Sequence, residues 1–171
     1  KLPTNHQMYG IAIHAALKDF IDALPERESK ELLIGRFEWH LGRQPLSEDF
    51  ESWEKRGREK LGGYFDTYAG TWKKSAQTEM YIRGVLVDDI KLTGKLDKVE
   101  FLDDAGGIHV VDYKTGKPKS RNEIEGKTKT SDGGMKRQLG FYKLLLNGYK
   151  NGKYRMKTGE IDFVEPNDRG K

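Results

Sequence analysis

Two stretches of alternating residues, Lys91–Leu102 and Ile108–Lys114, flank the cluster Asp103-Asp104-Ala105-Gly106, and nothing else in the chain constrains its fold as much. Period-two alternation on both sides of such a cluster predicts a β-hairpin. With residues 103–106 as the turn, facing residues have numbers that sum to 209. Phe101 then faces Ile108 and Val99 faces Val110, which makes one coherent apolar face. The same face continues to Asp97 opposite Asp112, and Lys95 opposite Lys114. Two carboxylates so placed repel each other unless a proton or a cation intervenes. Mg²⁺ or Mn²⁺ would resolve the conflict, because both prefer oxygen ligands. Lys114 lies two residues beyond Asp112 and so shares its face, with Tyr113 on the other. Carboxylates and a lysine around such a metal suit phosphodiester cleavage. The metal polarises the phosphoryl oxygen and acidifies a bound water, while the lysine orients that water or stabilises charge on the phosphate. D-x-K is a short string, however. A register slipped by one, or a hairpin edged with surface salt bridges, would account for the same residues without chemistry.

The hairpin sits in a chain that changes period half-way. Met8–Leu24 is a dense apolar run ended by Pro25, and near Ile11–Leu17 it is apolar almost all round, which predicts a buried helix. A second helix is expected over Ser29–Leu41, before Gly42 and Pro45. A third should start near Ser47, a good N-cap, with Glu48 and Asp49 in its first turn. It runs toward Trp72, with Gly62-Gly63 as a weak point or break. Glu79–Val87 can form a strand ahead of the hairpin. Gly116–Gly134 is polar and basic with no apolar period, a long loop of the kind that is functional or disordered. Met135–Tyr149 is expected to be a helix and Tyr154–Val164 a last strand.

Composition narrows the function. The chain has 171 residues, enough for one domain with a real core. It has no cysteine, which excludes disulfides, thiolate zinc sites, cysteine nucleophiles and cysteine-ligated iron–sulfur clusters, and fits a reducing cytoplasm. No run approaches the 18 apolar residues of a membrane span, and no secretory signal pattern opens the sequence. It starts at Lys1 rather than Met, as a domain cut from a longer protein would. Between Lys114 and Arg137, eight Lys and Arg stand against three acids, a net +5 that exceeds the +4 of the whole chain. Such a segment suits a polyanion, or is simply a solvated loop. Gly126-Lys127-Thr128 imitates the end of a phosphate-binding P-loop, but the glycine required at 121 is Arg121, and no strand precedes it.

Four segments, in order, resemble the PD-(D/E)xK nuclease superfamily, and in particular the RecB-like nuclease domains attached to UvrD- and RecB-type helicases. Gly10-Ile-Ala-Ile-His14 is similar to that family's N-terminal helix motif. Gly94-Lys-Leu-Asp97 is similar to its G-x-x-D strand, with Leu96 where the superfamily's name has proline. Val110-Val-Asp112-Tyr-Lys114-Thr-Gly116 resembles the (D/E)xK strand, and Gln138-Leu-Gly-Phe-Tyr142 the Q-x-x-x-Y helix. Gly159-Glu-Ile-Asp-Phe163 bears a weaker likeness to the closing strand of such domains.

The resemblance implies an α/β, restriction-endonuclease-like core with a mixed central β-sheet flanked by helices, behind a helical N-terminal half. It implies one nuclease domain over residues 1–171, part of a larger protein. His14, Asp97, Asp112 and the Tyr113 backbone carbonyl would be ligands of Mg²⁺ or Mn²⁺, with Lys114 the catalytic lysine. Glu79 matches an acidic position that either holds the metal or supports a residue that does. Gln138 and Tyr142 would line the site. Spacing alone puts these two on one helix face with Leu145 and Tyr149, where they could equally be core. His14, on a mostly apolar helix, would otherwise read as a satisfied core histidine, and His6, His40 and His109 show no ligand spacing. Lys117, Lys119, Arg121, Lys127, Lys129, Lys136 and Arg137 would contact the DNA backbone without sequence preference. The expected activity is a metal-dependent deoxyribonuclease of DNA repair or recombination, working on single-stranded DNA in preference and alongside a helicase. The alternative is a non-catalytic nucleic-acid-binding or docking module of a repair helicase.

Overall fold

A computed structural model describes residues 3–46, 49–73 and 75–166. Contacts divide the chain into two compact units. One comprises the described residues within 1–74, 113–117 and 163–171, and the other spans 75–112 and 118–162.

The first unit is built on three helices, α1 (Asn5–Asp22), α2 (Lys30–Leu41) and α3 (Phe50–Tyr68). α1 starts three residues before the expected Met8, because Thr4 and Gln7 form a capping box that satisfies the first backbone N–H groups. It buries Met8, Tyr9, Ala12, Ile13, Ala16, Leu17, Phe20 and Ile21. It is not buried all round, however, since Ile11 is 49% exposed. α2 falls where a helix is expected, with Ser29 as its N-cap, the hydroxyl accepting from the Leu32 N–H. Ser47 and Glu48, expected to open the third helix, lie outside the described residues, and α3 begins after Asp49. It continues through Gly62-Gly63 without a break. Gly57 is the glycine that packing requires, because a Cβ there would lie 2.0 Å from the buried Phe37 ring.

The second unit is a sheet with one long helix on it. Strands β1 (Ala76–Val87), β2 (Ile90–Phe101), β3 (Gly107–Lys114) and β4 (Arg155–Phe163) lie in the order β1-β2-β3-β4. Between β3 and β4 come a short helix, α4 (Arg121–Ile124), and the long α5 (Gly134–Gly148). The expected loop over residues 116–134 is therefore interrupted by a helical turn. Its Ser120–Glu123 capping box was visible as S-x-x-E in the sequence.

The β2–β3 register is the expected one, with Phe101 opposite Ile108 and Val99 opposite Val110. The ladder runs to Lys98–Val111. It stops there, short of the expected Lys95–Lys114 pair, while on the other edge of β2 Lys95 pairs with Tyr81 of β1. β1 and β2 form a second antiparallel hairpin, closed by Asp88 and Asp89, both at positive φ as a two-residue turn demands. β4 runs parallel to β3. The Arg155 N–H donates to the Gly106 carbonyl at one end (2.8 Å), and the Val164 N–H donates to the Lys114 carbonyl at the other (3.0 Å). A parallel pair needs a crossover, which α5 supplies. Its Leu145 and Leu146 pack with Met80, Ile82, Val85, Leu96, Val99, Ile108 and Val110. A helical N-terminal region and a four-stranded mixed sheet with flanking helices is the expected α/β, restriction-endonuclease-like class.

Candidate active site

In the sheet unit the chemistry gathers around Asp112. Its carboxylate is 2% exposed near the end of β3. Gln138 and Tyr142, one turn apart on α5, both reach it. The Tyr142 hydroxyl donates to Asp112 Oδ1 at 2.8 Å, and Gln138 Nε2 donates to the same oxygen at 2.8 Å. Gln138 Nε2 also donates to the Tyr142 hydroxyl at 2.7 Å, closing a triangle. Both donors fall on Oδ1, so Oδ2 takes neither of these bonds. Burial, then the charge of Asp112 and the bond to it, push the Tyr142 hydroxyl well above its ordinary pKa, opposed by Gln138 and aided by Asp97. Tyr142 therefore stays a neutral donor at every working pH.

The packing that sets this geometry explains a motif glycine. A Cβ on Gly94 would lie 2.4 Å from Leu145 Cδ1, so α5 seats against β2 in this way because residue 94 has no side chain; a larger residue would displace the buried Leu145. The glycine of the G-x-x-D string is thus a packing residue that places α5, and with it Gln138 and Tyr142.

Asp97 is half-buried on β2. One step beyond the last β2–β3 pair, the register puts it opposite Asp112. Its charge is felt at Tyr142 and at Lys95. Glu79 sits at φ 46°, a conformation disfavoured for a residue with a side chain. Its carboxylate accepts from Lys95 Nζ at 2.8 Å. That bond is the main reason the lysine's pKa is raised, against the effect of partial burial. Sequence reasoning missed this role of Lys95. The signal was β1 itself, whose pairing with β2 brings Lys95 beside Glu79.

The helical unit carries the remaining candidates. His14 is half-buried on α1. Its ring meets the buried Tyr113 ring edge-on, with centroids 6.2 Å apart. Gly10, one turn earlier, has Thr115 Oγ1 only 3.2 Å from where a Cβ would stand. The Gly10–His14 string therefore marks where the segment after Lys114 passes close against α1. Lys114 is partly exposed, and its backbone is fixed by the bond from Val164.

In the basic segment two of the three acids counted in its net +5 are paired with neighbouring cations. Glu125 pairs with both Arg121 and Lys127, and these bonds, that of Lys127 first, pull its carboxyl down to about 2. Arg137 binds the backbone carbonyl and the carboxylate of Asp132. Lys117, Lys119, Lys129 and Lys136 are exposed. Lys136 and Arg121 also rim an open cavity of about 300 Å³ floored by Ile124, Leu139 and Ile161.

Among the described residues no group of three or more His, Asp or Glu stands ready to hold a metal ion. A hard cation does not need one, because Mg²⁺ keeps several waters and takes only one or two carboxylates. An acidic pair on neighbouring strands, one oxygen of Asp112 already oriented, is a donor set of that kind.

A family model of the PD-(D/E)XK nuclease superfamily matches residues 2–169. The chain belongs to the PD-(D/E)XK nuclease superfamily. Members are usually nucleases, acting on DNA and generally with divalent metals such as Mg²⁺. Comparison with curated proteins finds no match. None of the described helices of this superfamily member is long and apolar enough to cross a membrane.

Proposed function

We propose that residues 1–171 form a single metal-dependent deoxyribonuclease domain of the RecB-like branch, which hydrolyses phosphodiester bonds of single-stranded DNA. The observation that carries this reading is the Gln138–Tyr142–Asp112 triangle. It ties the Q-x-x-x-Y string to the acid of the (D/E)xK string by direct hydrogen bonds. A core face with one stray polar residue has no need to deliver two donors to one buried carboxylate oxygen.

In this reading Asp97 and Asp112 are the metal-holding carboxylates, and the family resemblance adds His14, the Tyr113 carbonyl and Glu79 as further ligand candidates. Bound Mg²⁺ or Mn²⁺ supplies Lewis-acid polarisation of the phosphate and an acidified water. Gln138 and Tyr142 fix Asp112 in one rotamer. Lys114 stabilises negative charge that grows on the phosphate. The exposed lysines of residues 117–136 hold the strand by its backbone. A place in DNA repair or recombination beside a UvrD- or RecB-type helicase, in the cytoplasm, follows from the four-motif resemblance.

The test is cleavage of end-labelled single-stranded DNA with Mn²⁺, Mg²⁺ or EDTA, for wild type beside Asp112→Ala and Lys114→Ala. Metal-dependent cutting that both variants lose is the expected result. Cutting that survives Lys114→Ala overturns the mechanism. Tight strand binding with no cutting by wild type in either metal points to the binding-module alternative.

A further inference from the structure

The β1–β2 hairpin extends well past the part of β2 that pairs with β3. β3 takes Lys98–Phe101, while β1 pairs with β2 from Glu100 out to Ile90. The outer ribbon has two unlike faces. Ile82 and Val85 are buried on one, where Gly148 of α5 leaves room for Val85. Tyr81, Arg83, Leu86, Lys91, Thr93 and Lys95 are exposed on the other. Tyr81 is 53% exposed although it sits mid-strand. Two cations flank its ring, with the Arg83 guanidinium 5.6 Å and Lys95 Nζ 5.7 Å from the centroid. Of the acids on this ribbon, Asp88 and Asp89 are confined to the turn at the tip and Glu79 is bonded to Lys95, which leaves Arg83 and Lys91 as the cations nearest a bound strand.

We propose that this face of the ribbon is a second nucleic-acid contact, where an unpaired base stacks on Tyr81 and the adjoining phosphates are held by Arg83 and Lys91. It rests on the reading of the substrate as single-stranded DNA. A lone exposed aromatic between cations gives a base a π-face and its phosphates a counter-charge, the combination that single-strand binders use. A paired duplex would keep its bases stacked and offer the ring nothing. The bulge between Ile82 and Val85, with Gly84 at φ 71°, twists the strand just beyond Tyr81 and leaves the ring proud of it. The site shares no residue with the basic segment 114–137, so each is tested by its own substitutions.

The experiment measures binding in EDTA, which removes cleavage from the readout. The probe is a labelled single-stranded oligodeoxynucleotide carrying 2-aminopurine, whose fluorescence reports stacking. Tyr81→Ala is expected to weaken binding about ten- to hundredfold and to abolish the stacking signal, while Tyr81→Phe keeps both. Arg83→Gln should lower the slope of log Kd against log salt by about 0.7, the loss of one phosphate contact. Tyr81 and Arg83 are exposed, so neither change threatens the fold. If Tyr81→Ala binds and stacks as wild type does, the ribbon proposal fails while the nuclease reading stands. That is also the outcome for a ribbon that docks an acidic protein segment. If wild type binds no single strand in EDTA, the ribbon proposal fails, and the metal-dependent cleavage assay decides the nuclease reading by itself.

Discussion

Two charged regions lie next to each other in the sequence, and they are built on opposite principles. Around Asp112 a single negative charge is buried, and two donors are positioned to meet it. In the segment from Lys114 to Arg137 many positive charges are exposed, and several already have acidic partners close by in the chain. The first region spends packing on one geometry. Gly94 gives up its side chain so that Leu145 can seat α5. The second spends almost none, and its ion pairs are solvated ones that add little stability. Disturbing the first should therefore cost chemistry and fold, whereas disturbing the second should only adjust affinity.

The largest expected effect is on Asp112 itself. Asp112→Asn keeps the shape and an oxygen for Tyr142 but removes the charge. Single-turnover cleavage should fall by roughly a thousandfold, beyond the 10–100-fold typical of a group that only supports a metal ligand. A loss of less than tenfold would demote Asp112 from ligand to scaffold.

Tyr142→Phe comes next. It removes one of the two donors on Oδ1, and groups of this sort cost about 10–100-fold in metal affinity or activity. The Mn²⁺ concentration for half-maximal cleavage should rise, with a smaller change at saturating metal. Gln138→Leu should act similarly. Because both donors converge on one oxygen and also bond each other, the double variant should lose less than the product of the two single losses. Full additivity would mean that they support the site separately.

A third change reaches the built region through packing alone. Gly94→Ala puts a methyl group against Leu145, an overpacking that costs about 1–3 kcal/mol of stability. Thermal unfolding should register it, whereas adding a methyl group at Gly140, with nothing within 4 Å, should not.

These unequal effects mirror what could be read before the fold was known. The β2–β3 register was legible because four apolar residues and a turn cluster allow one coherent face, and the i, i+4 spacing of Gln138 and Tyr142 was legible because a helix fixes it. That both side chains meet Asp112 could come only from the family pattern, since no spacing tells which face of a helix meets which strand. The β2–β3 ladder stops at Lys98–Val111, short of the Lys95–Lys114 pair that extending it predicts. The pairing of Arg121 with Glu125 had a signal in the sequence, because the S-x-x-E of α4 implies a helical turn that sets them one turn apart. Ile11 failed differently. An apolar helix was taken as buried on every side, but three helices cannot enclose one of their own number completely.

The smallest expected effect carries an opposite sign and probes the second region alone. Glu125→Gln removes the carboxylate that holds Arg121 and Lys127, so both cations become available to phosphate. Binding of single-stranded DNA should tighten about two- to fivefold, since exposed pairs are weak. The slope of log Kd against log salt should steepen at the same time. The pH dependence separates true pairing from mere proximity. A carboxyl held down at about 2 stays ionised as the pH falls from 7 to 4.5, so the gap between wild type and variant should persist over that range. A Glu125 near its ordinary 4.5 would be half protonated at the lower end, and the gap would shrink as wild type gained affinity. Anisotropy titrations at pH 7, 5.5 and 4.5 in constant salt tell the two apart. A shrinking gap would mean that the basic segment is regulated by its own acids, while a constant one means that they simply lower its charge.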